Sequence, residues 1–509
     1  MRNKESLLIA FLGVLIGACL VLTINKFQEN RRMLSAQYRD WRKLNLVLQS
    51  IDENYVDSID RRKVSDAAIS AALAALDPHS AYLEPETLTE TESELAGNFD
   101  GIGIQFNVPN DTAVVLEVIP GGPSEKIGLS AGDRILEVDG INIAGVSFPQ
   151  DSMVRRMKGP AGTKVKITVG RGDEKIPFEI TRGKIPTYSV DAYFMVNDTT
   201  GYLRLSKFAS KTSSEVLLAN AELLEQGMKH LIFDLRDNSG GFFDQALILA
   251  NFFLPKGADI VYIEGMHRKR EEYKADGRGP FQDLGLTLLI DDGSASSSEI
   301  FAGAIQDNHR GKLVGRRSFG KGLVQEPIYF TDGSGVRITV ARFYTPSGRC
   351  IQKPYSDDYQ LEVLKRYNSA EMVYADSMKI ENGGIIPDVF VPIDTTKVGK
   401  FYINCNNKAT AMRFASSYFD THKEELSSIE DYTALESYLD KAGLEQKFLA
   451  FAKAKDGLVP TTEEWNTEKQ YMMTQVRALT GRYSKLGDKA YYHLYLDIDD
   501  VVKAALKNE

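Results

Sequence analysis

A chain of 509 residues is too long to fold around one hydrophobic core, and three or four domains are expected. Its 43% hydrophobic content is that of a globular protein, and a net charge of −9 argues against a nucleic-acid partner. Three cysteines (Cys19, Cys350 and Cys405) make no disulfide framework, although nothing forbids a single Cys350–Cys405 bridge, and the six histidines show no His-Glu-x-x-His and no metal-ligand spacing.

The N-terminus reads as a targeting segment over 1–30. Arg2 and Lys4 precede an uncharged apolar stretch from Leu7 to Ile24, and Lys26, Arg31 and Arg32 follow it. Ile16-Gly17-Ala18-Cys19 resembles a lipoprotein cleavage box, but the apolar run continues past Cys19, which suits an uncleaved anchor better. Anchor, lipidated Cys19 and cleaved signal all stay open. Each puts the bulk of the chain outside the cytoplasm, on the periplasmic side.

Residues 35–97 read as a helical domain. Leu44, Leu48, Ile51 and Tyr55 recur on one helical face, and Ser65 is placed as the cap of a second helix carrying Ile69, Leu73 and Leu76. Asp77-Pro78-His79-Ser80 ends it, with His79 taken as structural.

Residues 98–184 read as a small β-domain. Gly101-Ile102-Gly103-Ile104 is followed by a strand over Val114 to Val118, a turn at Pro120 to Pro123, and a strand-and-turn run from Gly132 to Gly140. Gly159 to Gly162 and Val165 to Val169 close it. The set resembles a PDZ domain. That resemblance implies β-augmentation: an extended peptide pairs with an exposed sheet edge while the N–H groups of Gly101, Ile102, Gly103 and Ile104 hold its terminal carboxylate.

Residues 185–395 alternate strand and helix, which argues an α/β layer with parallel pairing. Leu231 to Leu235 is a buried strand ending in Arg236-Asp237-Asn238-Ser239-Gly240-Gly241, and a helix spans about Phe243 to Phe253. The apolar run Leu286 to Ile290 ends in Asp291-Asp292-Gly293, then Ser294, Ser296, Ser297 and Ser298 lead into a helix. Serine at a strand-to-helix turn meets unpaired N–H groups and a favourable dipole, a place to build an oxyanion. Past a strand over Lys312 to Gly315, Lys321 stands between Gly320 and Gly322, and a desolvated lysine can act as a base. Charged residues of 355–380 are read as an exposed insertion, and 400–509 as a helical domain with no catalytic motif.

Three segments in order, Asp234 to Gly241, Ser294 to Ile300, and Gly320 to Gln325, resemble the motifs of the carboxy-terminal processing (tail-specific) Ser–Lys peptidases. The resemblance covers roughly residues 40–395. It implies an α/β (crotonase-like) protease core within a multidomain chain, with Ser296 as nucleophile, Lys321 as general base 25 positions downstream, and Gln325 orienting the lysine. It also implies backbone oxyanion donors at Gly241, favoured over Gly240, and at Ser297. No metal or organic cofactor is required. The expected partners are proteins or peptides with free, apolar C-termini, the membrane through the N-terminal segment, and further copies of the chain, since such N-terminal helices often build oligomers. Two positions depart from the family pattern: Ser239 stands where proline is common and Ser297 where alanine is common. The rival expectation is a catalytically inactive PDZ scaffold that binds protein C-termini, and the intact Ser296, Lys321 and Gln325 set speaks against it.

Overall fold

The computed structural model describes residues 39–108, 111–355 and 383–508. The targeting segment with Cys19, and residues 356–380 of the expected insertion, lie outside these. Among the described residues no helix is long and apolar enough to cross a membrane. The chain divides into two compact units, up to Leu76 and from Asp77 onward.

In the first unit, helix α1 (Arg39–Asn54) is followed by α2 (Arg61–Ala74). Asp60, not Ser65, caps α2: its carboxylate accepts from the Lys63 N–H at 3.2 Å, which leaves Ser65 inside the helix. On α1, Trp41, Leu44, Leu46 and Val47 are exposed.

The second unit starts earlier than the helical domain read over 35–97 allows. Residues 81–83 form strand β1 (Ala81–Leu83), which helical periodicity upstream cannot announce, because its partner lies more than 250 residues away. Helix α3 (Pro85–Leu95) leads into the β-domain: β2 (Asn98–Gly101), β3 (Ile104–Asn107), β4 (Ala113–Val118), α4 (Pro123–Lys126), β5 (Arg134–Val138), β6 (Ile141–Asn142), α5 (Gln150–Met157), β7 (Lys164–Arg171), β8 (Glu174–Thr181) and β9 (Gly183–Pro186). Its sheet runs β3-β4-β5-β7-β8, so β3 is an edge strand. Val165, Ile167 and Val169 alternate inward and pack with Ile102, Met153 and Met157.

The α/β region read over 185–395 holds β10 (Val190–Met195), β11 (Thr200–Leu205), α6 (Thr212–Glu225), β12 (His230–Asp234), α7 (Phe243–Phe253), β13 (Asp259–Gly265), β14 (Arg268–Lys274), β15 (Gly285–Ile290), α8 (Ser297–Asp307), β16 (Lys312–Gly315), β17 (Leu323–Tyr329), β18 (Gly335–Tyr344) and β19 (Val389–Phe390). One sheet runs β10-β11-β12-β15-β16-β19, parallel from β11 onward. β12 and β15 are neighbours, so the loops leaving their C-terminal ends emerge side by side, where sites form in such sheets. A second, antiparallel sheet contains β1, β13, β14, β17 and β18. The main core joins Phe233, Phe253, Leu288, Ile290 and Phe301 between the layers.

Seven helices complete the described chain: α9 (Lys400–Asn407), α10 (Thr410–Ser427), α11 (Tyr432–Lys441), α12 (Leu444–Asp456), α13 (Thr462–Gly481), α14 (Asp488–Tyr495) and α15 (Asp500–Lys507). They enclose Phe401, Cys405, Phe414, Phe419, Phe448, Met472 and Val476. Cys405 is buried there and Cys350 is exposed; both are free thiols, and burial pushes the Cys405 thiol up to about 12. This helical domain touches the β-domain through an Arg134–Asp420 ion pair and through Leu116, packed on its core.

Candidate active site

The loop after β12 is built by Asn238. Its side chain donates to the Leu205 carbonyl at 2.8 Å and accepts from the Gly240 N–H at 2.9 Å, while its carbonyl accepts from Ala295 N and Ser298 Oγ. The Gly240 N–H is thereby used. The Gly241 N–H has no acceptor among the described residues. Both positions require glycine. A Cβ on Gly241, at φ +146°, would lie 2.1 Å from the Phe208 carbonyl oxygen, and one on Gly240, at φ +98°, would lie 2.8 Å from Ser296 Cβ and 2.9 Å from Ser297 N.

The loop after β15 presents the serines. Ser294 Oγ donates to the Leu235 carbonyl at 2.8 Å, Ser298 Oγ to Asn238, and Ser297 Oγ to the carbonyls of Gly241 and Phe242 at 3.0 and 3.2 Å. Ser296 alone of the four donates its hydroxyl to no backbone carbonyl among the described residues. It occupies the N-cap of α8 at φ +56°, ψ −113°, a strained geometry for a residue with a Cβ. The Ser297 N–H is the first of the helix and has no intrahelical acceptor. Ser297, where the sequence departs from the family's alanine, thus straps the glycine loop to the start of α8.

Glu299 joins this turn to the lysine. The side chain is fully buried, and its Oε2 accepts from Ser296 N and Lys321 N, both at 2.9 Å. The two nitrogens therefore lie within twice that distance of each other. Its Oε1 accepts from Ser318 Oγ at 2.5 Å and Gly320 N at 2.7 Å. Burial pushes this carboxyl up, and the four donors favour its charged form. Glu299 is legible in the sequence as a helix residue within the Ser294 to Ile300 motif, with no role of its own; a glutamate at the third position of a buried helix start is the signal that marks it.

Lys321 is held below the usual lysine range by burial and by the Arg337 guanidinium nearby. Gln325 sits at an irregularity of the β17–β18 ladder, and its Nε2 donates to the His79 carbonyl at 2.7 Å. With Nε2 committed, Oε1 is the end left to accept a proton from an amine. His79, read as structural, belongs to this site: its ring is driven down to about 4 by burial and by the charge of Lys321. The segment is fixed by Ser80 Oγ, which donates to Asp77 at 2.7 Å and accepts from Thr339 N at 3.1 Å.

In the β-domain, Gly101 ends β2 opposite Gly183, Ile102 is buried with its carbonyl accepting from Ser124 N and Oγ, and Gly103 takes φ +79°. Ile104 opens the edge strand β3.

The sequence compares accordingly. The model of peptidase family S41 matches residues 199–361, and that of the PDZ domain residues 101–181. The chain is 30% identical over 475 residues to a protein of Staphylococcus aureus (strain N315) called a probable CtpA-like serine protease, covering 92% of this chain and 88% of that one. It belongs to the S41 family of carboxy-terminal processing serine peptidases. A carboxy-terminal-processing protease of Bartonella bacilliformis is 34% identical over 348 residues, 67% of this chain and 78% of that one. The solved photosystem II D1 C-terminal processing protease is 30% identical and covers 70% of this chain and 88% of its own, with a TM-score of 0.40. Residues 401–484 of this peptidase match a family of unknown function (DUF8443).

Proposed function

We propose that this S41 peptidase cleaves extracytoplasmic proteins from their C-terminal tails with a Ser296–Lys321 dyad. Neutral Lys321 takes the proton of Ser296 Oγ as the oxygen attacks the scissile carbonyl. The oxyanion forms against the N–H groups of Gly241 and Ser297, worth roughly 3–4 kcal/mol for a single donor. Protonated Lys321 gives its proton to the leaving amine, and a water, deprotonated by the lysine again, releases the acyl group. Gln325 accepts from Lys321 through Oε1. The observation that carries this reading is the division of labour among the serines: three hydroxyls are spent on backbone carbonyls and Ser296 is not.

In the same reading the PDZ domain takes the substrate tail along β3, with Gly101, Ile102, Gly103 and Ile104 at its carboxylate. The segment 7–24 with its basic flanks tethers the enzyme to the membrane on the periplasmic side, directly or through lipidated Cys19. The exposed apolar residues of α1 support a homo-oligomer. The test is to incubate the enzyme with an unstructured peptide ending in apolar residues and follow the products by mass spectrometry. Cleavage by wild type and none by Ser296→Ala is expected; equal cleavage by both would refute the nucleophile.

A further inference from the structure

The helical domain that follows residue 400 has no catalytic motif, yet it reaches the loop on which the proposed oxyanion donor stands. Arg236, two residues past the end of β12 and five before Gly241, is clamped from two sides. Toward its own strand it binds Asp234, with Nε 2.9 Å from Oδ1 and Nη2 2.6 Å from Oδ2. Toward the helical domain it binds Asp499, with Nη1 3.1 Å from Oδ1 and Nη2 2.7 Å from Oδ2. The side chains of Arg236 and Asp499 are only 15% and 13% exposed, so the bidentate pair is shielded from water and salt.

Asp499 has a second task. Its Oδ1 also accepts from Val501 N and Val502 N at 3.0 and 3.1 Å, capping α15. That helix packs Val501, Val502 and Ala505 against Tyr202, Ile232, Leu289 and Val314 on the outer face of the parallel sheet. One carboxylate therefore joins a helix seated on β15 and β16 to the first turn of the loop that leaves β12. Beyond Arg236 that loop turns at Asp237, at φ +59°, into Asn238 and the two glycines.

We propose that Asp499 is a positioning residue for the peptidase reaction, and that the C-terminal helical domain sets the geometry of the oxyanion loop through it. The inference rests on the assignment of Gly241 as an oxyanion donor. A guanidinium held on one side only can swing about the Asp234 contact and carry the loop with it, and a displacement of about 1 Å at a reacting centre can cost 100-fold in rate.

Asp499→Asn in the full chain separates this role from a structural one, because asparagine caps a helix as well as aspartate does but cannot pair with Arg236 as a charge. The kinetics of a tail peptide and the affinity of a peptide boronate, which forms a tetrahedral adduct on the nucleophile, are measured with the melting temperature. For Asp499→Asn the expected result is a kcat about 10- to 100-fold lower, a KM changed less than about twofold, and boronate affinity falling in parallel with kcat. Val502→Ala, which thins the packing of the same helix without touching Arg236, is expected to lower the melting temperature and keep kcat. An unchanged kcat in Asp499→Asn, a kcat loss with boronate affinity intact, or an equal kcat loss in Val502→Ala each overturns the proposal. Failure of the underlying site reading shows separately, as absence of fluorophosphonate labelling at Ser296 in the wild type.

Discussion

Serines 294, 296, 297 and 298 share one turn, and their hydrogen bonds give each a different expected phenotype. Ser294→Ala and Ser298→Ala each leave a buried carbonyl short of a donor and should cost about 1–3 kcal/mol in melting experiments while activity persists. Ser296→Gly should be inactive yet melt at or above Ser296→Ala, because glycine relieves the positive φ that costs alanine about 1–3 kcal/mol. Lys321→Arg should lose about 10²–10⁴-fold in kcat, since arginine keeps the charge but cannot accept the proton. The sign of the pH dependence follows from burial. With Lys321 as the proposed base the neutral amine is the active form, so kcat/KM should rise with pH through an apparent pKa below that of free lysine, about 10.4. His79 titrates near 4 and stays out of that limb. His79→Ala keeps the carbonyl that holds Gln325 but admits water beside Lys321, so the limb should move to higher pH; a limb that stays in place would show that the ring does not desolvate the lysine.

At the level of elements, the site is the meeting of two strand ends and a helix start, tied by Glu299. Glu299→Gln replaces an oxygen with an NH2 group facing N–H donors, and at least one contact to Ser296, Gly320 or Lys321 must break. The expected result is a stability loss of about 1–3 kcal/mol together with a lower kcat, read by denaturant titration and steady-state kinetics. Gly240→Ala tests the oxyanion loop from the other side. Its methyl group would press on Ser296 and the Ser297 N–H, so kcat should fall by about 10²–10³ with far-UV circular dichroism unchanged. A near-normal kcat would place the oxyanion elsewhere.

At the scale of the whole molecule, the PDZ domain is seated on the C-terminal helices rather than hung from a linker. The Arg134–Asp420 pair is about one-third exposed on both sides, so it contributes no more than about 1 kcal/mol, and the packing of Leu116 and of Phe419 against Gly132 does more to fix the seat. If the loop from Gly101 to Ile104 reads the substrate carboxylate, a C-terminally amidated peptide should be cleaved more slowly than its free acid by about one to two decades at low concentration, the worth of a charge-assisted bond of about 1.5–3 kcal/mol. Gly103→Ala, with a methyl 3.0 Å from Ile185 at φ +79°, should erase the difference. Equal rates for both peptides in the wild type would remove tail recognition from the account.

Local chemistry determined a good part of this protein. The strand residues 312–315 and the helix 243–253 were legible to the residue, because strand and helix periods are written in neighbouring side chains. The glycines of the β12 loop were legible because a close backbone approach admits few residue types, whereas the 25-residue interval between Ser296 and Lys321 was legible only through the family resemblance. What the tertiary structure alone decided is long-range pairing. The attachment of 81–83 to β18, the His79 carbonyl on Gln325, the Ser318, Gly320 and Lys321 donors on Glu299 and the clamp of Asp499 on Arg236 join residues between 19 and 263 positions apart. Such contacts leave no period in either partner's neighbourhood. They exist because a buried carboxylate, amide or guanidinium must find a partner when the layers close, and only the closed layers say which one it is.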